Sequence, residues 1–385
     1  MRYIAALLLL CMQLAHGPAF GSELFETKAK QAFLIDAETG TVLFEKNADT
    51  PIPPASLAKL MTMELVFRSL RTGEHSLNDM IHISQNAWKT GGASSGGSTM
   101  FAKLDSDIRL EDLIHAVIVQ SANDACIAIA EAYSGSEEAF ARAMNERAKK
   151  IGLQHSEFRN STGLPAEGQK VTMRDLAMLG RHIWKEYPEF YPIYSQREFE
   201  WSKIKQRNRN PLLAMDIGAD GMKTGFTEES GYAIVGSSTR NGRRLFVAMS
   251  GMASERERSE EGRKILEWGI RAFEKRELFK PGEAIGEASV FGGVKSYVPL
   301  VAKGGLSIFV PVANADQLKA RIVYQGPLAA PVEKGMSAGM LKIFIGERLM
   351  QETPVFTGEA IGAGPLHKRA TDAAFELLTG WMRRF

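Results

Sequence analysis

The chain has 385 residues, 44% of them hydrophobic and 24% charged, with a net charge of +2. That balance suits a packed protein of about two domains and excludes a largely disordered one. So small an excess of positive charge gives no basis for a general nucleic-acid surface, and nucleic acid is not an expected partner.

Arg2 precedes an apolar run through Ala5, Leu7 to Leu10 and Met12, followed by small residues around Ala19 and Gly21. This is the pattern of a cleaved export signal over residues 1–21. Its apolar core is shorter than the ~20 residues a membrane span needs, and no later segment supplies one. Leu10 is bulky where the signal of a lipid-modified Cys11 would be small. With cleavage near Gly21, Cys126 is the remaining cysteine, so no intrachain disulfide is expected. The apolar spacing of Cys126-Ile127-Ala128-Ile129-Ala130 makes it a small core residue of a buried helix.

Phe33-Leu34-Ile35 and Val42-Leu43-Phe44 flank a turn-like Glu38-Thr39-Gly40 and predict an opening strand pair. Beyond the prolines between Pro51 and Pro54, apolar residues Leu57, Leu60, Met61, Leu65 and Phe67 recur at helical spacing, with Gly73 as the stop. Further helices are expected over 110–120, 124–133, 137–151 and 173–187. Strands Tyr232–Val235 and Leu245–Met249 flank Asn241-Gly242, a tight-turn signal, and residues 255–274 read as one more helix. Strands at both ends with helices between predict an α+β domain, a sheet covered by helices. After Pro281, short apolar runs at Leu306–Val310, Arg321–Tyr324 and Leu341–Ile345 predict a small β-rich domain. At the end Phe375, Leu378, Trp381, Met382 and Phe385 fall on one side of a helix, with Lys368, Arg369, Arg383 and Arg384 near its ends. Such a helix either lies in a membrane interface or docks on the body.

No His-Glu-x-x-His or paired Cys-x-x-Cys spacing occurs and the seven histidines are scattered, so no metal or other cofactor is expected. A nucleophile is the better search. Gly92-Ala93-Ser94-Ser95-Gly96 has the form of a nucleophile elbow but lacks the strand before it. Ser56-Leu57-Ala58-Lys59 places a hydroxyl and an amine on one helix face, where a lysine kept neutral by burial or by a neighbouring cation serves as base. Ser-x-Asn occurs at Ser76, Ser84 and Ser121, and only Ser121-Ala122-Asn123 stands between two strongly apolar helices. Lys-Thr-Gly occurs at Lys89-Thr90-Gly91, in a loop, and at Lys223-Thr224-Gly225, at the start of a strand, where a small Gly225 leaves room for a ligand backbone. Singly these motifs are weak. In order and in fitting contexts they point to an active-site serine acyltransferase.

With these residues the chain resembles the low-molecular-mass penicillin-binding proteins of D-alanyl-D-alanine carboxypeptidase type. Ala87-Trp88-Lys89-Thr90-Gly91-Gly92, Ser121-Ala122-Asn123-Asp124-Ala125, Asn160-Ser161-Thr162-Gly163-Leu164-Pro165, Gly221-Met222-Lys223-Thr224-Gly225-Phe226-Thr227 and Ser230-Gly231-Tyr232 carry the likeness further. The resemblance implies a β-lactamase/transpeptidase-like catalytic domain over 22–278, including a helical subdomain. A β-rich domain would follow over 279–364, and an amphipathic helix over 365–385 would act as a peripheral membrane anchor. It implies location in the periplasm or on the outer face of the cytoplasmic membrane. The implied substrates are peptidoglycan stem peptides ending in D-Ala-D-Ala, with β-lactams as inhibitors.

By the same resemblance Ser56 attacks the terminal peptide bond and Lys59 takes its proton, while backbone N–H groups of Ser56 and Phe226 hold the oxyanion. Ser121 and Lys223 pass a proton to the leaving amine, Asn123 orients the substrate amide, and Thr224, Lys223 and Arg258 receive the terminal carboxylate. Some relatives carry histidine at the position of Phe226. A serine β-lactamase is one alternative, but Glu157-Phe158-Arg159-Asn160 lacks the Glu-x-x-Leu-Asn form of a class A enzyme. A non-catalytic wall-binding scaffold is the other, and the intact motif residues argue against it. Endopeptidase action on cross-links would use the same machinery.

Overall fold

The structure is a computed structural model that describes residues 25–312 and 318–379. The export signal expected over 1–21, and Trp381, Met382, Arg383, Arg384 and Phe385 of the tail, lie outside the described residues. The opening pair forms as β1 (Gln31–Asp36) and β2 (Val42–Lys46), antiparallel with Leu34 opposite Phe44. The Pro-rich approach turns through a short 3-10 helix, Ala55–Ala58, into α1 (Lys59–Thr72). That helix stops at Gly73, whose φ of 75° costs a residue without Cβ little. A small hairpin, β3 (Met80–His82) with β4 (Asp107–Arg109), leads to α2 (Leu110–Val119), α3 (Asn123–Ser134), α4 (Glu137–Lys150) and α5 (Met173–Glu186). These four helices end within a residue of the runs their apolar spacing predicts. Ser136 and Thr172 cap α4 and α5 by accepting from the N–H groups of Ala139 and Asp175.

A second hairpin, β5 (Glu198–Trp201) with β6 (Ile204–Arg207), is not among the expected elements, although Phe199 and Trp201 alternate with Glu198 and Glu200. Then come β7 (Ala219–Thr227), β8 (Gly231–Arg240), β9 (Arg243–Met252) and α6 (Glu255–Arg271). Asn241 and Gly242 make the expected turn, with φ of 54° and 73°. The helix expected to reach residue 274 ends at Arg271, because Phe273 opens a new strand and packs its ring edge-on against Trp268 at 5.1 Å.

Strands β1, β2 and β7 to β9 form one antiparallel sheet in the order β2-β1-β9-β8-β7. Its alternate residues serve two cores. Phe33, Ile35, Phe246 and Ala248 join the helical layer that includes Leu176 and Ile183 of α5, whereas Leu34, Leu245, Val247 and Met249 pack with Ile265 and Leu266 of α6. Both faces being covered explains why Leu245–Met249 reads as an unbroken apolar run. The architecture is therefore the expected α+β one, a sheet covered by helices, and β7, which carries Lys223-Thr224-Gly225, is an edge strand of its sheet.

The remaining strands are β10 (Phe273–Phe279), β11 (Ala284–Phe291), β12 (Tyr297–Val301), β13 (Leu306–Pro311), β14 (Leu318–Tyr324), β15 (Leu328–Ala329), β16 (Ser337–Ile345) and β17 (Arg348–Thr357). β10 pairs with β13, and the others form a sheet in the order β14-β16-β17-β12-β11-β15. The boundary expected after residue 278 falls inside β10. This β-rich part is joined to the part before it by buried polar contacts. Thr41 donates to Gln351 Oε1 at 2.9 Å and accepts from the Phe309 N–H at 3.2 Å, and the Arg243 guanidinium lies 3.5 Å from the centre of the Phe309 ring. The last helix, α7 (Leu366–Thr379), is tied down by Asp372, which accepts from the Gly292 N–H at 2.9 Å, and by Lys368, which donates to Ser296 at 2.9 Å. Leu366, Phe375, Leu377 and Leu378 on it are exposed. Among the described residues no helix is long and apolar enough to cross a membrane.

Among the carboxylates buried in the helical layer is that of Glu64. Glu64 of α1 accepts from Arg147 Nε at 2.8 Å and from the Tyr187 hydroxyl at 2.9 Å, and lies 3.2 Å from His182 Nε2. Burial alone would raise its pKa, yet the hydrogen bonds from His182, Arg147 and Tyr187 prevail and hold it below the ordinary 4.5. A lowered folded pKa gives stabilisation that is fully present above the unfolded value and is lost as pH falls through the folded one. Glu64→Gln is expected to lower the unfolding free energy by about 2 kcal/mol at neutral pH, with the gap from wild type narrowing below about pH 4. Urea denaturation at the two pH values measures both effects.

Candidate active site

The serine of the first motif does not lie on the long helix but on the 3-10 turn before it. Ala55 has φ of 48°, an uncommon conformation for a residue with a Cβ, and Leu57 and Ala58 are wholly buried. Two glycines make room for this turn. A Cβ on Gly163 would stand 1.7 Å from the Ala55 carbonyl oxygen, and one on Gly225 would stand 3.1 Å from Ala55 Cβ and 3.2 Å from Leu57 Cγ. The space expected at Gly225 for a ligand backbone is thus taken on its Cβ side by the serine turn, although Gly225 also lines the cleft beyond.

Lys59 points back from the first turn of α1. Its Nζ stands 3.1 Å from Ser56 Oγ and donates to the Thr162 carbonyl at 2.6 Å, and the side chain is 1% exposed. Burial brings its pKa down to about 8, with the Arg209 charge adding a smaller push in the same direction. Near neutral pH a useful fraction of the amine is therefore able to accept the serine proton. A second buried amine lies close by. Lys223 of β7 is held well below the ordinary lysine value, first by burial and next by the charge of Lys59.

The break between α2 and α3 supplies Ser121 and Asn123. Ser121 takes φ of 66°, and its buried hydroxyl has no hydrogen-bond partner within the protein; the same holds for Asn123 Oδ1. Unsatisfied buried polar atoms are costly, so polar groups aimed at a substrate position explain them better than a simple helix junction does. Asp124, next in sequence, accepts from Thr99 Oγ1 at 2.6 Å and from the N–H groups of Met100 and Ala102, pinning the loop that runs past Asn123. The Asn123 N–H donates to the Ser98 carbonyl at 2.7 Å.

Ser56, Ser121, Thr224, Gly225, Phe226 and Arg258 line one cleft of about 660 Å³. Lys59, Asn123 and Lys223 are buried behind it. Phe226 is half exposed, packs on Tyr232 with ring centres 4.4 Å apart, and separates this cleft from a larger one of about 810 Å³ walled by Pro165 and Glu229. Arg258 is 6% exposed rather than solvated, and its Nε lacks a partner. Burial lowers its pKa from the ordinary value.

Sequence reasoning missed Arg209, a second guanidinium lining the cleft, and the Thr162 carbonyl that holds Lys59. Arg209 sits in a loop before Pro211 and belongs to no motif; Thr162 lies in a segment singled out only by resemblance. The rejected copies have structural roles. Ser84 and Asn86 both donate to Glu131, and Gly91 packs so tightly on α3 that a Cβ there would stand 2.4 Å from the Asp124 nitrogen. Ser94, the serine of the elbow-like Gly92–Gly96 match, is exposed on a short 3-10 turn and donates to the Lys89 carbonyl at 3.4 Å, with no strand before it.

A family model described as D-alanyl-D-alanine carboxypeptidase matches residues 18–253, and one described as penicillin-binding protein 5, C-terminal domain, matches residues 273–363. The chain is 38% identical over 356 residues to D-alanyl-D-alanine carboxypeptidase DacC of Escherichia coli (strain K12), covering 92% of this chain and 89% of that protein. It is 37% identical over 323 residues to the carboxypeptidase DacA of Haemophilus influenzae, covering 83% and 82% of the two chains. Penicillin binding protein 5 from Haemophilus influenzae superposes with a TM-score of 0.76 at 34% identity, over 89% of this chain and all of that one. Penicillin-binding protein D2 from Listeria monocytogenes in its ampicillin-bound form superposes with a TM-score of 0.58 at 29% identity, over 64% and 99%.

Two outcomes follow from the geometry. Because only the neutral amine of Lys59 accepts a proton, acylation of Ser56 by benzylpenicillin should speed up as pH rises and reach half its plateau near pH 8. A rate constant flat between about pH 6 and 9 would count against Lys59 as the base. Gly225→Val should displace the serine turn and slow acylation at least about tenfold, with the circular dichroism of the sheet retained.

Proposed function

The chain belongs to the D-alanyl-D-alanine carboxypeptidase family, as a low-molecular-mass penicillin-binding protein, and from that membership we propose how its residues divide the reaction. It is a serine carboxypeptidase of D-Ala-D-Ala ends that also binds penicillin. The observation that carries the assignment of roles is the buried contact of Lys59 with Ser56 Oγ.

In this reading Ser56 Oγ attacks the carbonyl carbon between the last two D-alanines of a peptidoglycan stem peptide as its proton passes to Lys59 Nζ. The negative charge gathers on the carbonyl oxygen, held by backbone N–H groups of Ser56 and Phe226 at the mouth of the cleft. The C–N bond then breaks, and the leaving amine takes a proton relayed through Ser121, whose hydroxyl is free to donate, with Lys223 beside it. D-alanine departs and water cleaves the ester, returning the proton through the same amine. Asn123 orients the substrate amide. Thr224, Arg258 and Arg209 receive the terminal carboxylate; of the three guanidinium groups lining the cleft, these two suit an anion because Arg256 is paired with Glu260. β-Lactams that present the same carboxylate and a strained amide acylate Ser56 and inhibit.

The β-lactamase alternative has less support. The Glu157 carboxylate is paired with Arg159 at 2.5 Å and lines a cleft on the other side of Lys170, away from Ser56. We place the mature protein outside the cytoplasmic membrane, exported by residues 1–21. Peripheral contact with the membrane would run through α7, which exposes Phe375 and Leu378 and is followed in the sequence by Trp381, Met382 and Phe385. The catalytic part and the β-rich part are taken as the two domains.

Intact mass of the purified protein with and without benzylpenicillin, run beside D-alanine release from a peptide ending in D-Ala-D-Ala, tests the assignment. A lasting adduct on Ser56 with D-alanine release is expected. Ser56→Ala should fold normally and lose both, with turnover reduced at least about a thousandfold. Rapid consumption of penicillin with neither a lasting adduct nor D-alanine would replace this reading with a lactamase.

A further inference from the structure

The cleft that holds Ser56 has an anionic group among its cations. Glu255, at the start of α6, lines it together with Arg209, Arg256 and Arg258. Its Oε1 lies 3.7 Å from Arg258 Nη2, too far for a hydrogen bond but close enough for a strong charge interaction, and it acts on the Arg209 charge as well. The two partners differ in freedom, since the Arg258 side chain is 7% exposed and that of Glu255 is 76% exposed. Arg256 is already engaged by Glu260 at 2.7 Å.

An acidic residue in the first turn of a helix ordinarily needs no further reason. Here that need is met by others. The Ser254 hydroxyl accepts from the Glu257 N–H at 3.1 Å, and Glu257 turns back to accept from the Ala253 N–H at 2.6 Å. Glu255 therefore stands over the buried arginine with no capping task.

We propose that Glu255 is a specificity-determining residue of the carboxylate subsite, a resident carboxylate that partly answers Arg258 and Arg209 before substrate arrives. This rests on the carboxypeptidase reading and adds to it. An incoming terminal carboxylate gains the two guanidinium groups but must displace or repel Glu255, whose exposed side chain has open solvent to turn into. The hold on substrate and on the D-alanine product is weakened alike, whereas the acyl-transfer machinery at Ser56 is untouched. Such uniform weakening raises KM and speeds product departure. The effect belongs to ligands that carry a carboxylate at this position.

The test is Glu255→Gln, which keeps shape and removes charge. At low ionic strength the KM for a peptide ending in D-Ala-D-Ala should fall roughly threefold, the size expected of one partly exposed ion pair, with kcat moving less. Acylation of Ser56 by benzylpenicillin should quicken by a similar factor, and acylation by its methyl ester, which lacks the carboxylate, should not. Adding about 0.5 M salt should shrink the gain. Titration of active sites with the antibiotic corrects for any misfolded fraction. A KM that is unmoved or raised, or an equal gain with acid and ester, would overturn the proposal. Absence of D-alanine release by the wild type would overturn the carboxypeptidase reading instead, and the comparison of acid with ester would still decide the role of Glu255.

Discussion

A lysine amine enclosed by protein, 2.6 Å from the Thr162 carbonyl and 3.1 Å from the Ser56 hydroxyl, is the constraint around which this molecule is organised. In water an ammonium is strongly favoured, and a serine beside it is inert. Removing the water shifts the balance toward the neutral amine, so in the proposed reaction burial is the activating device and the hydrophobic core its cause. The requirement extends outward. Lys59 can be enclosed only because α1 follows directly on the serine turn and the residues 161–163 close over it, with Gly163 bare enough to touch Ala55. Ser161 is itself fastened by donating to Glu137 at the start of α4 at 2.6 Å.

The sheet gives this cluster its rigidity. With one face packed on α5 and the other on α6, β7 is fixed against β8 and brings Lys223, Thr224 and Phe226 to the serine at a set height. Groups that must stabilise charge in a transition state gain most when they need not reorganise, and residues on a sheet strand and at helix starts meet that condition. The second buried amine, Lys223, strengthens the effect, because two enclosed ammonium ions so near one another would repel.

Much of this was legible in the sequence, for local reasons. Ser56 and Lys59 meet through spacing along one segment, and the copies of the other motifs that lie beside them were told apart from the rest by the apolar helices around Ser121 and the strands after Lys223. What escaped was decided at long range. Arg209 joins the cleft through the path of a loop, and no periodicity marks it. β7 reads poorly as a strand because its residues serve the site rather than a core, with Gly221, Lys223, Thr224 and Gly225 interrupting the alternation. The end of α6 was misplaced because residues 272–274 look helical until β13 offers Phe273 and Glu274 a partner. Gly225 was rightly singled out for the absence of a side chain, but what fills the space is the turn that carries Ser56.

Cys126 of α3 sits in the same enclosed region as Lys59, and burial pushes its thiol up to about 12 despite the pull of the lysine charge. At any pH where the enzyme works this sulfur is protonated and sealed from reagents, so it contributes no thiolate. In a chain that starts after the proposed export signal and so lacks Cys11, a cysteine introduced on the rim of the cleft would then carry a fluorophore or spin label against a silent background in the folded protein. The opening of the site could be followed by spectroscopy without first rebuilding the core around Lys59.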